Sequence, residues 1–182
     1  MKLSLIININ NKELVRNVRQ IHRKLEDKTN SFSYSVYDYH VPVLNLMTFS
    51  SNDYLDDKLL DKYKSILSAC FENINKFTIE FRGFSTNNMG TIAYVNGHSF
   101  DLQNIKCTIL LPTLRNHEID FIDEVKPNIP LIIGANARVL LQRLKARDKT
   151  LFLGYQKVSS IDLVISDFYN HSRLILDRYF LS

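Results

Sequence analysis

Leu3, Leu5 and Ile7 alternate with Ser4 and Ile6, and this rhythm predicts a mostly buried opening strand. Asn10 or Asn11 is placed to cap a helix, because a short side-chain oxygen satisfies the free N–H groups at a helix start. Leu14, Val18, Ile21 and Leu25 then recur at helical spacing through Glu26. Residues 33–49 are rich in strand formers (Tyr34, Val36, Val41, Val43, Leu44, Leu46, Phe49), but Pro42 interrupts them. The expectation is an extended lead-in and a strand beginning near Val43. Ser50 to Asp53 form a cap cluster ahead of a second amphipathic helix carrying Leu55, Leu59, Tyr63, Ile66, Cys70 and Ile74.

Phe77-Thr78-Ile79-Glu80-Phe81 alternates strictly, as a strand with one buried face does. Gly83 and the polar run Ser85 to Asn88 predict a turn before Ile92-Ala93-Tyr94-Val95, and Asn96-Gly97 is a hairpin signal because both residues tolerate positive φ. Residues 102–114 read as helix or as strand, with Pro112 unfavourable inside either. Pro127 and Pro130 bracket the entry to a short apolar strand, Leu131-Ile132-Ile133. Ala135 to Lys149 predicts a third helix with Val139, Leu140, Leu141 and Leu144 on its apolar side. Leu151 to Leu153, Ile161 to Ile165 and Leu174 to Leu176 predict closing strands. No low-complexity linker divides the chain, so residues 1–182 are expected to form one domain.

A hydrophobic content of 45% with 23% charged residues supports a packed core and excludes general disorder. The apolar runs all fall well short of the roughly 20 residues a membrane helix needs. The opening stretch ends in Asn-Ile-Asn without a small-residue cleavage site, so it reads as a strand rather than a signal peptide. Cys70 and Cys107 lie far apart without metal-ligand spacing. They are expected to be reduced thiols of a cytoplasmic protein, Cys70 as a small core residue. The net charge of +4 permits an anionic partner. Its clearest concentration is Lys12, Arg16, Arg19 and Arg23, at helical spacing opposite the apolar stripe. They are candidates for nucleic-acid binding, and also what a solvated helix face looks like. Arg138, Arg143, Lys145, Arg147 and Lys149 give the third helix a cationic side.

The order of elements, with strands led by Pro42 and Pro130, resembles the two-histidine phosphoesterase superfamily, which includes 2′-5′ RNA ligase-like proteins and cyclic phosphodiesterases. The matching stretches are Pro42-Val43-Leu44-Asn45-Leu46, Ile129-Pro130-Leu131-Ile132-Ile133, the strand from Phe77 to Phe84, and the tail around Asp162 to Ser166 and Tyr179 to Leu181. The resemblance implies an α+β, bilobal fold in which two related lobes set antiparallel sheets around a central groove, with helices outside. It also implies that each lobe offers a His-x-Thr/Ser strand to that groove, one imidazole acting as general base and the other as general acid. None of the five histidines here is followed two places later by Ser or Thr. Val43 and Asn45 stand at the first motif, and Leu131 and Ile133, or Ile133 and Ala135 in a shifted alignment, at the second. Aliphatic side chains carry no protons, although Asn45 retains hydrogen bonds to offer a phosphate oxygen.

The leading reading is therefore a pseudoenzyme: a non-catalytic protein binding RNA, a nucleotide or a protein partner on this scaffold, with no catalytic residue, metal or cofactor assigned. His40, Asn45, Arg138 and Tyr155 are the groove candidates, and Tyr37, Tyr39, Tyr94 and Tyr155 are aromatic rings that stack on bases if they face the groove. One alternative is a phosphodiesterase using His40 with Arg138 and Tyr155. Another is a structural or interaction subunit whose apolar groove docks a partner.

Overall fold

The computed structural model describes residues 1–26, 33–35, 39–50, 55–122, 126–134, 137–142, 144, 150–167 and 173–182, and the side chains of 26 and 33–35 are not among them. The described elements run β1 (Lys2–Asn8), α1 (Lys12–Glu26), β2 (Ser33–Ser35), β3 (His40–Thr48), α2 (Asp57–Phe71), β4 (Phe77–Thr86), β5 (Ile92–His98) and α3 (Phe100–Ile105). A π-helical turn (Lys106–Leu110), α4 (Leu111–Asn116), β6 (Ile129–Gly134), α5 (Ala137–Gln142), β7 (Phe152–Val158), β8 (Ser160–Ser166) and β9 (Arg173–Phe180) complete them. Two antiparallel sheets result, ordered β3-β1-β8-β9 and β2-β6-β5-β4-β7, so the fold is α+β and bilobal. The first and last strands of the chain belong to one sheet, on either side of β8, and β3 of that sheet falls between β2 and β4 of the other, so neither lobe is contiguous in sequence.

Local chemistry fixes the helices. Asn11 Oδ1 accepts from the N–H groups of Glu13 and Leu14 at 3.0 Å each, capping α1 as expected. Helix α2 is capped by Asp56, which accepts from Lys58 N at 3.1 Å; of the expected cap cluster Ser50 to Asp53, residues 51–53 lie outside the described ones. The ambiguous stretch 102–114 is helical. Pro112 cannot donate to the preceding turn, and the backbone relieves this by widening just before it, with Leu111 N reaching Lys106 O. Of the third helix expected over Ala135 to Lys149, Ala137–Gln142 is helical and Leu144 lies in a bend; residues 135–136, 143 and 145–149, with most of the cationic side, lie outside the described residues.

Helix α1 packs on β7, α5 on β4 and β5, and α2 on β9. Leu3, Leu5, Ile7, Leu14, Val18, Leu67, Phe71, Ile79, Phe81, Ile132 and Leu163 are fully buried between these layers. Each such side chain stabilises by about 1.5–3 kcal/mol relative to an exposed position.

Two turn expectations are corrected. Asn96-Gly97 makes no hairpin: both residues lie inside β5, where Gly97 pairs with Phe81. Glycine stands there because a Cβ would lie 1.7 Å from the carbonyl oxygen of Pro127. Gly83 makes no turn either. It sits at φ 71° in a bulge within β4, where Phe81 pairs with Gly97 but Phe84 with Val95. The reversal comes instead at Asn87–Gly90: Asn87 Oδ1 accepts from Thr91 N at 2.7 Å and Ile92 N at 3.0 Å, and Gly90 takes φ 72°.

Buried phenols give the fold an alkaline limit. Burial raises the pKa of Tyr179, which packs 5.2 Å from the Phe71 ring, and the Asp177 carboxylate raises it further. Burial likewise raises Tyr63, helped by Asp120, and Tyr94. The folded chain thus keeps protons that the unfolded chain releases above about pH 10, so stability is full below that pH and falls as pH rises. Urea midpoints measured from pH 8 to 11.5 should show this decline, with Tyr179→Phe flattening it. An equal slope in wild type and variant would refute the assignment.

Candidate functional site

Prolines shape the site. In β3, an edge strand, Pro42 lies opposite Ile6 while Leu44 lies opposite Leu5, so Val43 is the extra residue of a bulge. In β6, Pro130 lies opposite Tyr94 while Ile132 lies opposite Ala93, so Leu131 is the extra residue there. Among the described residues, strand β2 pairs with Ile132 to Gly134. The strand around Pro42 therefore starts earlier than expected, at His40, because an edge position and a bulge accommodate the ring. The two lobes repeat one device: a proline, a bulged residue, and a cleft-facing residue three places after the proline.

The cleft between the sheets has a volume of about 710 Å³ and is lined by both halves of that device. Pro42 and Asn45 come from one sheet, Pro130 and Ile133 from the other. Val43 and Leu131 are 1% and 0% exposed, belong to the apolar core, and do not line the cleft. Of the positions that the resemblance assigns to histidines, Val43 and Leu131 are thus apolar and turned out of the site, while Ile133, the second position in the shifted alignment, is apolar and lines the cleft.

Around these stand polar groups. Asn45 Oδ1 accepts from Ser4 Oγ at 2.9 Å, and its carbonyl accepts from Ile122 N at 2.8 Å, which holds Ile122 in the cleft wall. Asn128 Oδ1 accepts from Gly97 N at 3.0 Å, fixing a second amide in the wall. Asn87 and Asn88 enter from the β4–β5 turn, with Ser85, Thr86 and Tyr94 beside them. Tyr94 holds its phenolic proton because burial raises its pKa. Lys2 and Lys126 supply positive charge. The Lys2 pKa is lowered by burial, an effect that Asp167 opposes, so an incoming anion would restore interactions that burial has removed.

Of the residues singled out in the sequence, His40 and Asn45 line the cleft, His40 being only 1% exposed. Arg138 stays outside, its Nη2 donating to Asn88 O at 2.6 Å and so bracing a cleft residue from behind. Tyr155 lies on β7, 51% exposed, and is not in the cleft wall. Tyr39 is buried with its hydroxyl 2.8 Å from His22 Nδ1, which removes it from any stacking role; Tyr37 lies outside the described residues. Lys12, Arg16, Arg19 and Arg23 are exposed on α1 away from the cleft, and Arg16 pairs with Glu13 at 3.7 Å. Sequence reasoning missed Lys2, Asn87 and Asn128. The only signals for them were a basic residue opening a strand and amides in Pro- and Gly-rich turns.

Among the described residues, no three His, Cys, Asp or Glu side chains converge as metal ligands, and no helix is long and apolar enough to cross a membrane. His40 is the one imidazole among the described cleft residues. Cys70 is a buried and Cys107 an exposed free thiol.

With two antiparallel sheets facing each other across a cleft, this chain has the fold of the two-histidine phosphoesterases. The sequence matches no protein-family model and no curated protein. Solved structures similar to it include TT0787 of Thermus thermophilus, with a TM-score of 0.70, 16% identity, and coverage of 100% of this chain and 98% of that one. Escherichia coli LigT complexed with NADP+ has a TM-score of 0.68 at 12% identity, covering 100% and 97%. The same protein complexed with 3′-AMP has a TM-score of 0.64 at 14% identity, covering 100% and 98%.

Proposed function

We propose that the cleft binds a phosphorylated, nucleotide-sized ligand and does not turn it over. The observation that carries this reading is the replacement of both proton-handling positions by core aliphatics, Val43 and Leu131, in a cleft that keeps its hydrogen-bonding wall. General acid–base work on a phosphodiester needs two groups titrating near ambient pH. Binding needs only donors and positive charge, which Asn45, Asn87, Asn128, Tyr94, Lys2 and Lys126 provide. The cleft volume suits a nucleotide, and structures of E. coli LigT with 3′-AMP, NADP+ and ATP support this ligand class for the scaffold.

Titration calorimetry with 3′-AMP and ATP should give saturable one-site binding. Lys2→Ala should weaken it about tenfold, the loss of one charge-assisted contact. Incubation with 2′,3′-cyclic nucleotides and 2′-5′-linked dinucleotides should leave them intact. Turnover that disappears in His40→Ala would overturn the non-catalytic reading, and absence of any nucleotide or phosphate binding would overturn the ligand assignment.

A further inference from the structure

The sheet that walls the cleft does not stop at it. Tyr94, Asn96 and His98 are alternate residues of β5, a strand with no bulge of its own, so they share one face. Tyr94 is in the cleft wall, and His98 lies about 13 Å further along the strand. His98 pairs with Glu80 of β4, and Glu80 pairs with Tyr155 of β7, so the cleft face continues across three strands to Tyr155.

At its far end that face carries two exposed rings. Phe152 and Tyr155 are 38% and 51% exposed, their centroids 4.9 Å apart and planes inclined by 60°. Arg82, paired in register with Phe152, sets its guanidinium 5.3 Å from that ring's centroid. The same Arg82 neutralises Glu80 at 3.0 Å, and the exposed Lys157 flanks Tyr155 at the alternate position. An open sheet face with adjacent aromatic rings, a stacked guanidinium and flanking cations is how proteins hold unstacked bases between phosphates.

We infer that the cleft is one end of a track for a single-stranded oligonucleotide: its terminal nucleotide occupies the cleft, the chain passes Asn96 and His98, and later bases stack on Tyr155 and Phe152. The inference rests on nucleotide binding in the cleft and names the ligand as a strand. The exposed Lys157 beside the rings, with Arg82 stacked on Phe152 and paired with Glu80, leaves the strip net positive, which suits a strand that alternates bases with phosphates.

Fluorescence anisotropy and calorimetry with oligoadenylates of one, two, four and six nucleotides test it. The hexamer should bind at least tenfold more tightly than the mononucleotide, and more weakly as salt rises. Tyr155→Ala and Phe152→Ala should each lower hexamer affinity five- to tenfold with mononucleotide affinity within twofold, and Tyr155→Phe should retain the gain because the ring remains. Unchanged melting temperatures would show that the variants fold. A hexamer that binds no better than the mononucleotide, or equally well to Tyr155→Ala, would overturn the track and leave the cleft reading intact. Loss of mononucleotide binding with a Tyr155-dependent hexamer affinity would instead keep the strip and discard the cleft.

Discussion

Gly97→Ala should leave the protein largely unfolded or cost at least about 3 kcal/mol, a large part of the 5–15 kcal/mol that holds a typical domain together. The added methyl carbon would lie 1.7 Å from Pro127 O, 2.8 Å from Pro127 C and 3.0 Å from Phe81 Cε1. The first two are backbone atoms, which cannot rotate away as a side chain would, so strand or loop must move. Movement would also break the Gly97 N–H bond to Asn128, at 3.0 Å, which seats the Lys126–Asn128 segment against β5. Because Lys126 and Asn128 both line the cleft, surviving folded protein should bind ligand more weakly. His98→Ala, one residue on and exposed, should stay within about 0.5 kcal/mol of wild type. Urea denaturation of the pair decides it: equal midpoints would mean that Pro127 leaves room for a methyl group at Gly97.

The same glycine shows where sequence reading stops. Asn-Gly is ambiguous between a residue that must turn and one that must have no side chain, and only the approach of Pro127, 30 positions away, selects the second. Periodicities set by a single packed face were legible. The alternation of Phe77 to Phe81 gave β4, and Leu14, Val18, Ile21 and Leu25 gave α1, since each reports contact with one core. The order of elements and the resemblance built on it led to the two-lobed fold. Which residues face the cleft was not legible, because both cleft strands are bulged. One extra residue reverses the facing of the positions after it relative to those before, so a count of alternate positions from His40 would misplace Asn45. Tyr155 has the chemistry of a cleft residue without the place. The register puts it on the right face of the sheet but at the far end, a distinction that depends on strand pairing and not on local pattern.

Restoring histidine at both motif positions, Val43→His with Leu131→His, should therefore create no phosphodiesterase and should destabilise strongly. Val43 and Leu131 are 1% and 0% exposed in the apolar core. An imidazole there must lose its water, find no designed partner and displace neighbours, a cost of about 3 kcal/mol or more for each site. On the proposed reading, two bulges as well as two side chains keep imidazoles out of the cleft at these positions. Placing the rings at the positions that do line the cleft, Asn45→His with Ile133→His, should be tolerated within about 1.5 kcal/mol, since both residues are half-buried and border open space. Melting temperatures of the two double variants, with a 2′,3′-cyclic nucleotide hydrolysis assay, separate the cases. A stable, active Val43→His/Leu131→His protein would show that these side chains reach the cleft, and the reading of the site as a binding surface would fall with that result.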